Sequence, residues 1–244
     1  MIVPIRLVNK IRALLLPIPV KVLHREYSAI FSAVDEPYGP SARLIEVALE
    51  SSRLAGGISL RDISSRMKAA PYFPDIWPGE HYRLLAGLVS ALKPRVVVEI
   101  GTATGLSALA LKKFLPEASK IFTFDVIAWG EYPDTCLREE DFADGRLVQY
   151  VADLSRPFTA SEHSALLKSA DIIFIDAAKD GVMENRFIDN FGKVGLKRGA
   201  LVVFDDIRLW NMLKIWRDIR MPKLDLTSFG HWSGTGLAEW PGEK

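Results

Sequence analysis

The sequence predicts an α/β protein built on a doubly wound, mostly parallel sheet. Residues 96–98 are apolar and β-branched, and they run into a turn marked by Gly101 and Gly105, after which apolar residues recur at helical spacing. From residue 95 onward, strand-like and helical segments alternate, which is typical of this class. Two later strands, residues 172–175 and 200–204, are continuous apolar runs, as expected when both faces of a strand are buried.

Length and composition limit the number of domains, the kinds of partner and the cell compartment that we expect. With 244 residues, the chain has room for one domain and an extension, and its net charge of +1 offers no basic surface for nucleic acid. Cys136 is the only cysteine, so an internal disulfide is excluded and a reducing compartment is favoured. We therefore expect a cytoplasmic protein that does not bind nucleic acid.

Residues 1–76 are expected to form a helical N-terminal extension to a domain that spans residues 77–244. Prolines and basic residues interrupt any membrane-spanning run at the start of the chain. Apolar and basic residues nevertheless alternate at helical spacing in residues 1–22, which predicts an amphipathic helix. Such a helix fits a membrane surface, or a docking face on its own domain or on a second subunit in a homodimer; we favour docking.

The spacing of apolar residues places the elements in order. Prolines in residues 71–78 predict an extended aromatic loop ahead of the sheet. The charged run at 138–141 is expected to form a solvated helix face. Acids end several strands, and the carboxyl ends of parallel strands meet at one edge of a sheet. The predicted helices are 41–54, 59–67, 80–92, 106–114 and 207–219, and the predicted strands are 96–100, 120–125, 147–151, 171–175, 199–204, 224–229 and 235–240.

The glycine turn distinguishes two kinds of cofactor-binding motif. A dinucleotide fingerprint requires a glycine at position 103, where this chain has Ala103. Residues 99–107, Glu-Ile-Gly-Thr-Ala-Thr-Gly-Leu-Ser, instead resemble the first motif of class I S-adenosylmethionine-dependent methyltransferases, and are most similar to the metal-dependent caffeoyl-CoA and catechol O-methyltransferases. The resemblance covers about residues 77–240. It implies a Rossmann-like, doubly wound, seven-stranded and mostly parallel sheet.

The resemblance also implies where the cofactor lies. The glycine turn would cradle its methionine moiety, with Ser107 helping to hold the carboxylate, and Asp125 would accept hydrogen bonds from the ribose hydroxyls. Asp153 would contact the adenine amino group; a turn-forming aspartate is the alternative. The predicted S-adenosylmethionine-binding residues are Glu99, Gly101, Thr102, Ala103, Gly105, Ser107, Asp125, Val126, Asp153, Leu154 and Asp176.

A divalent metal site is the second feature that the resemblance implies. In the caffeoyl-CoA and catechol type, strand-ending acids bind the metal, and a lysine three residues after the first acid lies near the attacking hydroxyl. These positions correspond to Asp176, Asp205, Asp206 and Lys179, so Asp176 and Lys179 are the predicted catalytic residues and the three aspartates the ligands of Mg²⁺ or another divalent cation. Asp206 stands where the family has asparagine, and Gly181 near where it has an aromatic residue. Helix capping is the alternative role of the paired aspartates, and a surface ion pair that of the lysine.

These observations predict methyl transfer from S-adenosylmethionine to a hydroxyl oxygen of a small-molecule or glycan acceptor, assisted by a metal. The departures at positions 181 and 206 leave two alternatives open, a metal-independent methyltransferase and a catalytically silent S-adenosylmethionine-binding protein. A nicotinamide-dependent oxidoreductase would share the sheet, but the glycine pattern opposes it.

Overall fold

The computed structural model describes residues 38–229 and 231–242 as a seven-stranded sheet flanked by helices. The helix predicted at residues 1–22 lies outside the described residues. Among the residues that are described, no helix is long and apolar enough to cross a membrane. The α-helices are α1 (Ala42–Gly57), α2 (Arg61–Ser64), α3 (Tyr82–Leu92), α4 (Leu106–Phe114), α5 (Pro157–Glu162), α6 (Ser164–Ser169), α7 (Met183–Val194) and α8 (Met212–Asp218), and the strands are β1 (Val96–Ile100), β2 (Lys120–Asp125), β3 (Leu147–Val151), β4 (Ile172–Ile175), β5 (Leu201–Phe204), β6 (Lys223–Asp225) and β7 (Gly236–Glu239).

The strands follow the order β3-β2-β1-β4-β5-β7-β6. The first five pair in parallel, and β7 lies antiparallel between β5 and β6. The chain order reverses between β1 and β4, and ligands bind at such a switch point in doubly wound sheets. This arrangement confirms the predicted fold class.

Hydrophobic layers cover both faces of the sheet, because successive strand residues point to opposite faces. Val97 is fully buried against the layer formed by α1, α3 and α4, whereas Val98 is fully buried against the layer formed by α6, α7 and α8. Side chains of the central strands β1, β4 and β5 are therefore buried on both faces of the sheet. Polar groups that can meet a ligand are expected at the carboxyl ends of these strands.

The first described helices pack on this sheet. Leu44 of α1 and Ile63 of α2 are buried in the same hydrophobic layer as α3 and α4. Ser41 caps α1, since its hydroxyl accepts a hydrogen bond from the Leu44 N–H at 3.1 Å. Arg43 pairs with Glu239 of β7 at 2.7 Å. The domain boundary at residue 76 stays a prediction.

The helix predicted over 207–219 is confined to α8. The N–H groups of Ile207 and Arg208 donate to the carbonyls of Gly234 and Ser233, so these residues pair with a neighbouring segment and do not enter a helix. Apolar spacing alone did not reveal this tertiary partner.

Other predicted elements are shorter than expected. The strand predicted over 224–229 ends at Asp225, and a 3₁₀ turn follows it. The helix predicted over 59–67 is reduced to α2. The run at 138–141 forms a 3₁₀ turn and not a solvated helix face: Asp141 is buried, where it accepts a hydrogen bond from Arg66 at 2.6 Å and another from the Arg138 N–H at 2.8 Å.

Candidate active site

A cleft opens at the carboxyl ends of β1 and β4, where the strand order reverses. This switch-point cleft encloses about 260 Å³. Most of the residues predicted to bind S-adenosylmethionine line it, whereas Glu99, Thr102, Gly105 and Ser107 are not among its lining residues. The lining residues are Ile100, Gly101, Ala103, Asp125, Val126, Tyr132, Ala152, Asp153, Leu154, Asp176, Ala177, Ala178, Met183 and Phe187.

Gly101 allows the two central strands to end in close contact. A Cβ atom on this residue would lie 1.9 Å from the carbonyl oxygen of Asp176, and its φ is +102°. Only glycine combines this backbone conformation with so close an approach. The Gly101 N–H donates to the Phe124 carbonyl at 2.8 Å, and the Asp176 N–H donates to the Ile100 carbonyl at 2.9 Å. The turn is therefore fixed to the strands on both sides.

Glu99 supports the turn from below. Its side chain is completely buried and accepts a hydrogen bond from the Thr123 hydroxyl at 2.6 Å. Thr123 is in turn 2.7 Å from the hydroxyl of Thr102 in the turn. Burial raises the pKa of Glu99 to about 7. This acid therefore acts on the cleft through the turn and does not reach its surface.

Two carboxylates border the cleft at the ends of β2 and β3. Asp125 accepts hydrogen bonds from the N–H groups of Ala103 at 2.9 Å and Ile127 at 3.2 Å, which fixes its side chain beside the glycine turn. Asp153 accepts from the Ser155 N–H at 2.9 Å and from Arg156 at 3.2 Å. A carboxylate accepts about four hydrogen bonds, so each retains capacity toward the cleft.

Three carboxylates and one ammonium meet at the ends of β4 and β5. Lys179 Nζ lies 2.6 Å from Asp176 Oδ1 and 3.7 Å from Asp205 Oδ2, and it also bonds Asp206. Asp205 and Asp206 are buried. The structure thus brings together the four residues that the sequence predicts for metal binding and catalysis. These four side chains are called the acidic cluster below.

The backbone at the acidic cluster adopts an uncommon conformation. Lys179 and Asp206 have φ values of 58° and 54°, in the left-handed region that non-glycine residues rarely occupy. The buried carboxylate of Glu184 holds the first of these loops by accepting from the N–H groups of Lys179 at 2.6 Å and Gly181 at 3.2 Å. Sequence analysis did not select Glu184; an acid in the first turn of a helix after a glycine is the signal that points to it.

Two histidines that sequence analysis did not select also face these carboxylates. His81 Nδ1 and His231 Nδ1 lie 3.2 Å and 3.0 Å from the same oxygen, Asp205 Oδ1. His231 Nε2 lies 3.3 Å from Glu80 Oε2. The two histidines stand far apart in the chain and belong to no motif, so the sequence carries no signal that pairs them.

The charges at this edge of the sheet depend on one another. Burial raises the pKa of Asp205, but the two histidines outweigh it and the net direction is down. Burial lowers the pKa of His231, whereas the adjacent carboxylates of Asp205 and Glu80 raise it, to about 10 overall. For Lys179, burial also lowers the pKa, and the carboxylates, with Asp176 first, raise it above its usual value. Lys179 and His231 are therefore cations at neutral pH and offset the carboxylates around them.

Comparison with known proteins relates this fold to that of methyltransferases. Residues 98–207, from β1 to the end of the acidic cluster, match the family described as a methyltransferase domain. A methyltransferase from Geobacter sulfurreducens aligns over 68% of this chain and 80% of its own, with 18% identity and a TM-score of 0.51. A Staphylococcus aureus protein assigned as a caffeoyl-CoA O-methyltransferase aligns over 81% of this chain and 97% of its own, with 17% identity and a TM-score of 0.52.

The chain has a class I methyltransferase fold. This confirms both the resemblance and the architecture that the sequence predicts. No curated protein matches the sequence. At such low identity the likeness shows the methyltransferase fold, and the assignment of substrate and metal has to come from the site itself.

Proposed function

We propose that this chain transfers a methyl group from S-adenosylmethionine to a hydroxyl oxygen, assisted by a divalent metal ion. The position of Asp176 carries the proposal. This residue lines the switch-point cleft, and its carboxylate also bonds Lys179 in the acidic cluster. A cofactor in the cleft and an acceptor at the cluster would therefore meet at Asp176.

The cleft suits the cofactor because it offers close backbone approach and fixed acceptors. S-adenosylmethionine, when bound, supplies a methyl group on a sulfonium sulfur. Gly101 keeps the turn free of a Cβ atom, and Asp125 and Asp153 present oriented carboxylate oxygens for hydroxyl and amino donors. The work of these residues is alignment, since a displacement reaction is accelerated chiefly by holding the reacting atoms in line.

The acidic cluster fits a hard divalent ion. Its three carboxylates are the ligand type that Mg²⁺ prefers, and Asp205 Oδ1 makes no aligned hydrogen bond to any described residue. Such an ion, when bound, lowers the pKa of a hydroxyl group and favours its anionic form. The carboxylates of Asp176, Asp205 and Asp206 would hold it.

Lys179 is assigned to charge stabilisation. Its raised pKa keeps the side chain protonated at neutral pH, so it stabilises an anionic acceptor oxygen better than it removes a proton. The left-handed backbone and the Glu184 carboxylate hold the residue in this place. Pre-positioned charge of this kind is worth most in a site that is shielded from water.

Metal-independent transfer is the second candidate. Lys179 Nζ lies within 4 Å of all three carboxylates, so a cation of the chain itself occupies the centre of the acidic cluster. In that case the ammonium alone would offset the charge of the acceptor anion. The two candidates differ in their response to chelation.

The test is a transfer assay with S-adenosylmethionine and a panel of phenols and glycosides. After treatment with EDTA we expect activity to fall by at least about tenfold and to return with Mg²⁺ or Mn²⁺. Asp205→Asn should reduce transfer by a similar factor and leave S-adenosylmethionine affinity nearly unchanged in calorimetry. Asp189→Asn, an exposed acid on α7, is the matched control.

Three results would contradict the proposal in different ways. Full activity in EDTA would establish the metal-independent candidate. Binding of S-adenosylmethionine without transfer to any acceptor would favour a silent binding protein. Tight NAD binding with no S-adenosylmethionine binding would favour the oxidoreductase.

A further inference from the structure

Trp210 stands exposed beside the acidic cluster in a backbone conformation that is uncommon for a large residue. Its side chain is 69% exposed and its φ is 45°. The Leu209 N–H donates to the Asp206 carbonyl at 2.8 Å, so the segment is a turn and the Cα atom of Trp210 lies within about 11 Å of that of Asp206. Asn211 ties this turn to the neighbouring loop by donating to the Asp180 carbonyl at 3.0 Å. Backbone strain of this kind persists where the surrounding structure enforces it, and it collects at functional sites.

Trp232 is a second exposed ring, fixed beside the same cluster. It is 70% exposed, and its Nε1–H donates to the buried carboxylate of Glu80 at 3.2 Å. The preceding residue is His231, whose Nδ1 atom lies 3.0 Å from Asp205 Oδ1. Because the only polar atom of the indole is bound to a buried acid, the ring presents its carbon atoms to solvent. Trp210 and Trp232 are together called the aromatic rim below.

The openness of the aromatic rim indicates the shape of its ligand. Single exposed apolar residues are common, but two anchored indoles beside one site form a surface suited to a ligand. Each ring leaves most of its surface in water, so a ligand covers one face of an indole and keeps its own outer face hydrated. A sugar ring suits this arrangement, because one face of a pyranose consists of C–H groups and its periphery carries hydroxyls. A phenol is better held in an apolar pocket that encloses both of its faces.

The charges around the acidic cluster favour a neutral acceptor. The cations Lys179, His231 and Arg208 lie 2.6 Å, 3.0 Å and 2.6 Å from carboxylate oxygens, which already offset their charge. An acceptor that carries phosphate groups would bring further negative charge to an edge that is rich in carboxylates. Sugar hydroxyls are neutral, and they donate hydrogen bonds to carboxylates.

We propose that the acceptor is a neutral glycoside whose sugar ring stacks on the aromatic rim and whose reacting hydroxyl lies at the acidic cluster. The inference rests on the proposed function for the reaction and for its place. It goes beyond that function in the class of acceptor and in the residues that select it. Stacking is the same before and during transfer, so the rim lowers KM for the acceptor and leaves kcat unchanged.

The experiment measures acceptor binding without transfer, with S-adenosylhomocysteine present in place of the methyl donor. The probes are methyl glycosides of glucose, galactose, mannose, rhamnose, fucose and N-acetylglucosamine, with catechol as the phenol. Saturation-transfer difference NMR identifies the probes that bind, and intrinsic tryptophan fluorescence gives their affinities. We expect a glycoside to bind more tightly than catechol, with the strongest saturation transfer on the C–H protons of its ring.

Variants of the rim test which residues hold the sugar. Trp210→Ala and Trp232→Ala should each weaken glycoside binding about fivefold or more, and in the transfer assay they should raise KM for the glycoside without lowering kcat. Trp210→Phe and Trp232→Phe keep an aromatic face and should retain most of the affinity. Phe158→Ala, which removes an exposed ring from α5, is the matched control and should change neither value.

The possible results separate the inference from the proposed function. If no glycoside binds, or if both alanine variants bind glycosides as tightly as the wild type, the inference is overturned and the proposed methyl transfer still stands. Alanine variants that change the molecular mass in gel filtration and keep their glycoside affinity would assign the rim to contact between copies of the chain. Glycoside binding that depends on the rim, without transfer, would support the inference and contradict the proposed function. If an alanine variant fails to fold, as judged by circular dichroism, nuclear Overhauser effects between the indole and sugar protons in the unaltered protein decide.

Discussion

Gly101→Ala tests whether the turn between β1 and α4 sets the geometry of the whole site. The added Cβ would stand 1.9 Å from the backbone oxygen of Asp176, and such contacts need at least 3.0 Å, so the end of β4 must move by about an ångström. Backbone strain at a φ of +102° costs about 1–3 kcal/mol. Overpacking against a backbone atom costs about 1–3 kcal/mol more. We expect urea unfolding to show a loss of about 2–6 kcal/mol.

The displacement should also disable the site in whatever protein remains folded. Asp176 lies both in the cleft and in the acidic cluster, and a misplacement of about 1 Å is able to slow a positioned reaction by about a hundredfold. Calorimetry with S-adenosylmethionine should show at least about tenfold weaker binding. Gly192→Ala is the matched control: it lies within α7 with open space around it, so the same substitution should stabilise the fold by up to about 1 kcal/mol. Wild-type stability and cofactor affinity in Gly101→Ala would refute the reasoning.

Four further outcomes are expected. Asp125→Ala should weaken S-adenosylmethionine binding by roughly tenfold to a hundredfold in calorimetry, because it removes charge-assisted hydrogen bonds worth about 1.5–3 kcal/mol. Glu99→Gln should flatten the pH dependence of stability. In the wild type the folded acid keeps its proton up to about pH 7, whereas the unfolded acid loses it near its usual pKa of 4.5. The free energy of unfolding of the wild type therefore falls by up to about 3 kcal/mol as the pH rises through this window. Glu184→Gln should cost about 1–3 kcal/mol in urea unfolding and slow transfer more than it weakens cofactor binding, since it loosens the loop that holds Lys179. Deleting residues 1–22 should change the oligomeric state in gel filtration or the association with liposomes, while cofactor binding persists.

Each of these has a result that opposes it. Unchanged affinity in Asp125→Ala would mean that its carboxylate serves only the turn. If the stability of Glu99→Gln varies with pH in the same way as that of the wild type, a group other than Glu99 titrates in this window. Equal loss of binding and transfer in Glu184→Gln would indicate a general structural role, and loss of cofactor binding in a folded 23–244 fragment would show that the first residues belong to the site.

The switch-point cleft could be predicted from the sequence because each of its parts obeys a local rule. The turn at Gly101 needs glycine because its φ is positive and the next strand passes close to it. Asp125 and Asp176 follow apolar runs that are easily recognised as strands. Parallel strands then bring these ends to one edge without further information. The same logic placed Asp205 and Asp206 at the ammonium of Lys179.

The other side of the site was not accessible, because it is assembled by contacts between distant segments. His81 and His231 belong to two loops that meet in the fold, where the Trp232 N–H donates to the Gly79 carbonyl at 2.8 Å. Neither loop has a period or a motif that a sequence reveals. The same holds for the residues after Asp206, whose backbone partners lie beyond β6.

The reversed direction of β7 has a consequence for how such a protein diversifies. Gly236, its first residue, pairs with Phe204, the last residue of β5, so the segment leading into β7 arrives at the edge where the parallel strands finish. That segment contacts Asp205 and Asp206 through His231 and Ser233, and none of its residues lines the switch-point cleft. Under the proposed function, contacts to the acceptor and contacts to the methyl donor therefore come from separate stretches of chain. Substitutions in the residues before Gly236 are expected to alter the acceptor and to leave the donor cleft unchanged.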